Sequence, residues 1–253
     1  MRIVEWNLHG MTGTGVGGNK YSIPTKLIEN SIKGIKGDMP DVIVFTEFVY
    51  KNTNETNSQE EPMLKTENYD VYWTQQDKRR NGICIAVKRK QGLENFKYVF
   101  EGEKTSDFPD LLAVGNDEIK IFGVRFHSES TNKCVSNLIE KVKKYENNKC
   151  KIILVGDFNK FENKVIKKYS EEDCNNAIRI CKVSDSKDCN GIIEQAKLSI
   201  LDHILTTFDF NDVAINYNWD FMIQIYDYIS DKATYLNRRC IPDHAMLIAE
   251  LEI

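Results

Sequence analysis

Apolar and polar positions along the chain fall into short, well-marked runs. "RIVEWNL" predicts a strand over residues 2–8, and a glycine-rich polar stretch follows it. In "SIPTKLIENSIKGIKG", Ile23, Leu27, Ile28, Ile32 and Ile35 recur near helical spacing, and Gly37 supplies a stop signal. "DVIVFTEF" is a continuous apolar run of the kind buried on both faces of a sheet. "YDVYWTQ" and "GICIAVKR" predict consecutive strands, and "EIKIFGVRFH" another. In "KCVSNLIEKVKKY" the residues Val135, Leu138, Ile139, Val142 and Tyr145 mark the apolar face of a second helix. "KIILVGDF", "ILDHILTT" and "AMLIAELEI" complete the strands, while residues 160–197 predict a mixture of helix and polar loop. Strands and helices are mixed, with no repeat and no linker. One domain over residues 1–253, built of layered sheets with outer helices, is the expected architecture.

Composition narrows this little. A chain of 253 residues with 41% hydrophobic and 28% charged positions buries a full core. No apolar run approaches the roughly 18 residues of a membrane span. "MRIVEWNLHG" turns polar at once and does not read as a signal peptide, so cytoplasmic residence is expected. Cys84, Cys134, Cys150, Cys174, Cys181, Cys189 and Cys240 are odd in number and form no C-x-x-C pair, against both a zinc ribbon and a disulfide scaffold. The net charge of −4 gives no overall attraction to nucleic acid, although "DKRRNG", "VKRK" and "NRRC" are local basic segments.

Gly13, Gly15 and Gly18 spell G-x-G-x-x-G after the first strand, the signal of a dinucleotide-binding turn. That turn must open directly into a helix whose first amides hold a pyrophosphate. Here Asn19, Lys20 and Tyr21 intervene and Pro24 sets the helix start later; nor does a G-K-[ST] triplet follow. The stretch reads instead as a plain turn, or as a rim beside Asn7 where Lys20 meets a phosphate.

The strand ends carry the chemistry. Asn7 ends "RIVEWN", Glu47 ends "DVIVFTE", and Asp157 and Asn159 end "KIILVGDFN"; Asp202 interrupts "SILDHIL", and Asp243 and His244 precede the last strand. A carboxylate after four or five apolar residues is costly to desolvate unless a cation or hydrogen bond compensates. One would be a satisfied structural acid; so many at strand ends point to a shared site. Hard oxygen donors favour Mg²⁺ or Mn²⁺ over Zn²⁺. Phosphoester hydrolysis needs a cation on phosphoryl oxygens, a group to position or deprotonate water, and donors for developing charge, and this set holds all three. Taken singly, each residue has a structural reading: Asn7 as a turn cap, Asp202 as a core acid paired with His203, and His203 as a packing residue.

The ordered series "WN", "TE", "FH", "GDFN", "LDHI" and "PDH" resembles the endonuclease/exonuclease/phosphatase superfamily over nearly the whole chain. That family includes DNase I-like nucleases, abasic-site endonucleases, neutral sphingomyelinases and inositol polyphosphate 5-phosphatases. The resemblance implies a four-layered α/β/β/α sandwich of two mixed sheets. It implies Glu47 as principal metal ligand for Mg²⁺ (or Mn²⁺), Asn7 contacting the metal or its water, and Asp243 completing the metal-side carboxylates. Asp157 would orient or deprotonate the attacking water, and Asn159 would hold that water and the phosphate. His244 would bond a phosphoryl oxygen, oriented by Asp202, and His127 would stabilise the transition state or leaving group. The abasic-site enzymes' K-x-GYSG stretch is absent, with "KRRNGICIAV" in its place, and no inositol-phosphatase signature is evident. The expectation is a monomeric metal-dependent nuclease acting on nucleic acid. A sphingomyelinase-like enzyme on a lipid headgroup, a hydrolase of small phosphoesters and a non-catalytic binding module are the alternatives. A groove lined by Arg79, Arg80, Lys88, Arg238 or Arg239 would favour nucleic acid; exposed Trp219 and Phe221 would favour a bilayer, and the aromatic run holding Tyr226 and Tyr228 otherwise reads as core.

Overall fold

The computed structural model describes residues 1–9, 25–34, 37–48, 64, 68–74, 82–102, 107–127, 132–145, 150–159, 178–180, 196–198, 201–206, 213–218, 220–221 and 244–252. In chain order the elements are β1 (Arg2–Asn7), α1 (Thr25–Lys33), β2 (Val42–Phe48), β3 (Tyr69–Trp73), β4 (Gly82–Lys88), β5 (Lys97–Gly102), β6 (Asp110–Gly115) and β7 (Ile119–Arg125). There follow α2 (Asn132–Lys143), β8 (Lys151–Asp157), β9 (Ile178–Ile180), β10 (Ala196–Leu198), β11 (Asp202–Thr206), β12 (Val213–Asn218) and β13 (Met246–Leu251).

Two mixed sheets result, ordered β12-β13-β1-β2-β4-β3 and β11-β8-β7-β6-β5, beside a small β9–β10 pair. Each sheet holds one parallel pair, β1–β2 and β7–β8, and each pair is joined through one helix, α1 or α2. Parallel neighbours require such a crossover, and the helix covers the outer face of its sheet. Ile28 and Ile32 of α1 pack with Val4, Trp6, Ile43 and Phe45 on one outer face. On the other, Leu138 and Val142 of α2 pack with Phe122, Ile152 and Leu154. Between the sheets lie Ile3, Val42, Val44, Ile85, Leu112, Ile121, Ile153, Val155 and Ala249. These layers are helix, sheet, sheet, helix, the expected sandwich.

The sheets approach closely at Gly123, where a Cβ would sit 2.7 Å from Ile83 Cγ2 and 3.2 Å from Val44 Cγ1. A side chain there would push the central strands apart. β5 and β12 are edge strands, and neither KYVFEG nor VAINYN carries the long apolar run of the central strands, so the sequence pattern does not mark them. β6 lies in a stretch that the sequence pattern left without an assignment, and of residues 160–197 only 178–180 and 196–197 fall among those described. No helix among the described residues is long and apolar enough to cross a membrane. Cys84, Cys134 and Cys150 are buried, in line with their reading as small apolar residues.

Candidate active site

Strand alternation carries the inter-sheet apolar layer into a polar end. Side chains two apart share a face, so the inward series runs Ile3–Glu5–Asn7 on β1 and Val42–Val44–Thr46 on β2. It runs Ile121–Gly123–Arg125 on β7, Ile153–Val155–Asp157 on β8, Ile204–Asp202 on β11 and Leu112–Asp110 on β6. β1, β2, β7 and β8 present their carboxyl ends there, the position at which open α/β sheets bind ligands. Cross-strand register places Asp157 opposite both Arg125 and Asp202, and Asp110 opposite Arg125.

Glu47 is out of step with this parity, since Phe45 points to the outer face. A bulge corrects it: the β2–β4 register shifts between Phe45 and Phe48, and Glu47 takes a left-handed φ of 50°. A bulge re-aims a side chain in this way, and a non-glycine residue in that region is a cost that clusters at functional sites. The result is an Arg125 Nη2–Glu47 Oε1 contact of 2.9 Å, with Asn7 Nδ2 at 3.4 Å from the same oxygen.

Asn7 also donates from Nδ2 to Asp157 Oδ2 at 3.1 Å, so its amide links the two carboxylates. Its Oδ1 accepts the His9 N–H at 2.9 Å. Asp157 is buried and receives the Asn159 N–H on Oδ1 at 2.8 Å. Burial pushes its carboxyl up to about 7, with Asp202 and Glu47 adding to the rise and His244 and Arg125 opposing it. Asn159, at φ 55°, points Nδ2 at the Phe126 carbonyl at 3.1 Å and leaves Oδ1 buried without a partner. The turn depends on Gly156, whose φ is 150° and whose Cβ would sit 1.9 Å from the Val124 carbonyl oxygen. Glycine alone fits there.

Two histidine–carboxylate pairs flank this centre. Buried His244 places Nδ1 2.6 Å from Asp202 Oδ2, which fixes the ring and directs Nε2 the other way. His127 Nε2 lies 3.0 Å from Asp110 Oδ2, which Arg125 Nη1 also approaches at 3.6 Å. One ligand atom each from Asp157, Asp202 and His244 lies within 4.8 Å of the others.

Asn7, Glu47, Asp157, Asn159, Asp202, His244 and His127 are thus all at one end of the sandwich; Asp243 lies outside the described residues. Glu5, Asp110 and Arg125 were missed. Their signal was available in the period-two alternation, which aligns Glu5 with Asn7 and Arg125 with His127. Glu5 is fully buried and bonded by Thr46 Oγ1 at 3.0 Å. Burial, then Asp202 and Asp157, hold its carboxyl well above the usual range against the opposing His244 and the Thr46 bond. His203 points away, edge-on to Phe158 at 5.6 Å, as a packing residue.

Lys88 is not at this end: it closes the far end of β4, paired with Tyr69 of β3 and donating its N–H to the Asp41 carbonyl at 2.8 Å. Phe221 is fully buried against Trp6, ring centroids 4.6 Å apart, and offers nothing to a bilayer. Trp219, Arg79, Arg80, Arg238, Arg239, Lys20 and the glycine stretch lie outside the described residues.

The donor set fits a hard divalent cation. It is rich in carboxylate oxygen, and the buried Glu5 Oε2 and Asp202 Oδ1 have no hydrogen-bond partner. Unpaired buried carboxylate oxygens are costly unless a proton or cation meets them.

Neither a family model nor a curated protein matches the chain. Among solved structures it is similar to a 3'-5' exonuclease, NExo, from Neisseria meningitidis, at 15% identity and TM-score 0.58, with all of both chains covered. It is similar to a 3' phosphatase form of NExo from Neisseria bound to a product DNA hairpin, at 13% identity and TM-score 0.58, again over all of both chains. Danio rerio TDP2 complexed with a single-strand DNA product is similar at 12% identity and TM-score 0.56, over 100% of this chain and 99% of that one. The chain therefore has the DNase I-like fold.

Proposed function

We propose that this protein is a divalent-metal-dependent hydrolase of nucleic-acid phosphodiesters. The observation that carries the reading is the convergence of Asn7, Glu47, Asp157, Asp202 and His244, from five strand ends of two sheets, on one buried polar cluster. DNA products in two of the similar structures support nucleic acid as the substrate class.

Glu47 and Asn7, with Asp243, would hold Mg²⁺ or Mn²⁺. Such an ion supplies Lewis-acid polarisation of a phosphoryl oxygen. Asp157, poised at about 7 by burial, accepts the proton of the attacking water at Oδ2 or Oδ1. The new bond joins that water oxygen to phosphorus as the ester P–O bond breaks; the leaving alkoxide takes a proton from bulk water, and Asp157 returns its own proton to solvent. Asn159 holds the phosphate. His244, held by Asp202, hydrogen-bonds a phosphoryl oxygen through Nε2. His127, held by Asp110, stands on the other flank for the leaving group. The protein works as a cytoplasmic monomer in this reading. A sphingomyelinase-like or small-phosphoester activity is the alternative on the same residues, though the burial of Phe221 removes one of its expected membrane contacts.

The test is a panel of plasmid DNA, single-stranded DNA, RNA, sphingomyelin and bis-p-nitrophenyl phosphate, each with Mg²⁺, Mn²⁺ or EDTA. Cleavage of a polynucleotide that EDTA abolishes is the expected result. Hydrolysis of sphingomyelin alone would move the assignment to lipid, and activity on nothing in the panel would remove it.

A further inference from the structure

We infer that Arg125 is a substrate-binding residue of this site, a guanidinium that holds Glu47 in the cation-free protein and grips the phosphoryl group once Glu47 is engaged by a divalent cation. This rests on the phosphoesterase reading above. Arg125 sits at the centre of the second sheet's polar end, with Asp110 and Asp157 as its neighbours in register. Its side chain is 15% exposed, so it borders the cluster and still opens outward.

The bonding of this arginine argues against a purely structural role. A guanidinium has five N–H donors and pairs best as a two-pronged fork on a carboxylate. Arg125 makes one hydrogen bond, from Nη2 to Glu47 Oε1 at 2.9 Å, on an oxygen that Asn7 also approaches. Its contact with Asp110 is 3.6 Å, beyond hydrogen-bond range, and its Nε is buried with no partner. Three carboxylates surround the group, and it forks to none. Unused planar donors suit the non-bridging oxygens of a phosphate, which guanidinium matches well.

Charge supports the same assignment. A phosphoester anion approaching Glu47, Asp110 and Asp157 meets repulsion that some cation must offset. Among the described residues, Arg125 is the only lysine or arginine paired with a carboxylate of this cluster. It also draws on the carboxylate that Glu47 would offer a cation, so the two compete for the charge of Glu47. Arg125 moving from Glu47 to a phosphoryl oxygen resolves that competition and couples cation binding to substrate binding.

The experiment is calorimetric and needs no turnover. Mn²⁺ is titrated into metal-free wild type, Arg125→Gln and Arg125→Lys, and inorganic phosphate is then titrated into each Mn²⁺-loaded protein. Arg125→Gln is expected to bind Mn²⁺ severalfold more tightly, because a competing charge is gone, and phosphate about tenfold or more weakly. Arg125→Lys, which keeps the charge, falls between them for phosphate and carries the test if the neutral variant fails to fold. Phosphate affinity unchanged in both variants would overturn the assignment, as would Mn²⁺ affinity falling with the neutral variant, the mark of an arginine that only braces Glu47. If the affinities shift as expected while wild type hydrolyses no phosphoester, the activity reading fails and Arg125 stands as an anion ligand.

Discussion

Asp157→Asn is expected to stabilise the cation-free protein above neutral pH while removing its chemistry. Folding holds the Asp157 carboxyl at about 7 against an ordinary 3.8, chiefly by burial. The folded chain thus keeps a proton that the unfolded chain releases, and stability falls as pH rises. This group's contribution is full below 3.8 and gone once pH passes about 7. At about 1.4 kcal/mol per pH unit, that gap corresponds to about 4 kcal/mol, shared with the coupled groups around it. Asparagine cannot ionise, so it escapes the loss. It turns an NH₂ toward either Asn7 Nδ2 or the Asn159 N–H, forfeiting one hydrogen bond of about 1 kcal/mol. The net gain at high pH is about 1–3 kcal/mol, or roughly 3–10 °C in Tm. Thermal melts in EDTA from about pH 5 to about pH 8.5 read it directly. The two proteins should converge at the acid end and separate at the alkaline end. A variant no more stable than wild type near pH 8.5, with the same pH slope, would refute the claim that buried charge on Asp157 is what the fold tolerates here.

Other expectations follow from the same geometry. His244→Ala should lower the rate by about 10² or more, the usual scale for a lost acid–base or donor group, and Asp202→Asn should cost less while shifting the pH–rate profile. Steady-state kinetics over pH separates the two, and equal losses with an unshifted profile would deny Asp202 an orienting role. Glu47→Gln should weaken Mn²⁺ binding measured by calorimetry; unchanged affinity would place the ion elsewhere. Gly156→Ala, which drives a Cβ to 1.9 Å from the Val124 carbonyl oxygen, should cost about 2–4 kcal/mol by denaturant melts, and an unaffected midpoint would contradict that contact.

Much of this site was legible because the chain ends apolar strands abruptly in acids and amides. "KIILVGDFN" and "RIVEWN" state both the strand and its polar terminus, and the structure brings those termini together. Pairing across strands was less visible. Asp110 begins β6, a strand the sequence pattern does not mark, and its partner His127 is 17 residues away. Nothing local says which face of β7 Arg125 occupies; the inter-sheet position of Ile121 and the close approach at Gly123 decide that. Glu5 was hidden inside an apolar run whose neighbours Val4 and Trp6 belong to the opposite face. The bulge that turns Glu47 inward is a register event, invisible in the order of residues. Of the basic segments only VKRK lies among the described residues, and strand direction carries its Lys88 away from the cluster.

This polar cluster is expected to hydrolyse a nucleic-acid phosphoester with a carboxylate base and a bound divalent cation. Single-turnover cleavage of an end-labelled DNA or RNA oligonucleotide, with wild type and Asp157→Asn side by side in Mn²⁺ and in EDTA, tests it most directly. The account predicts cleavage by wild type in Mn²⁺, none in EDTA, and a rate lower by at least about 10² for Asp157→Asn even where that variant is the more stable protein. Cleavage that survives EDTA, or an Asp157→Asn rate close to wild type, would contradict it.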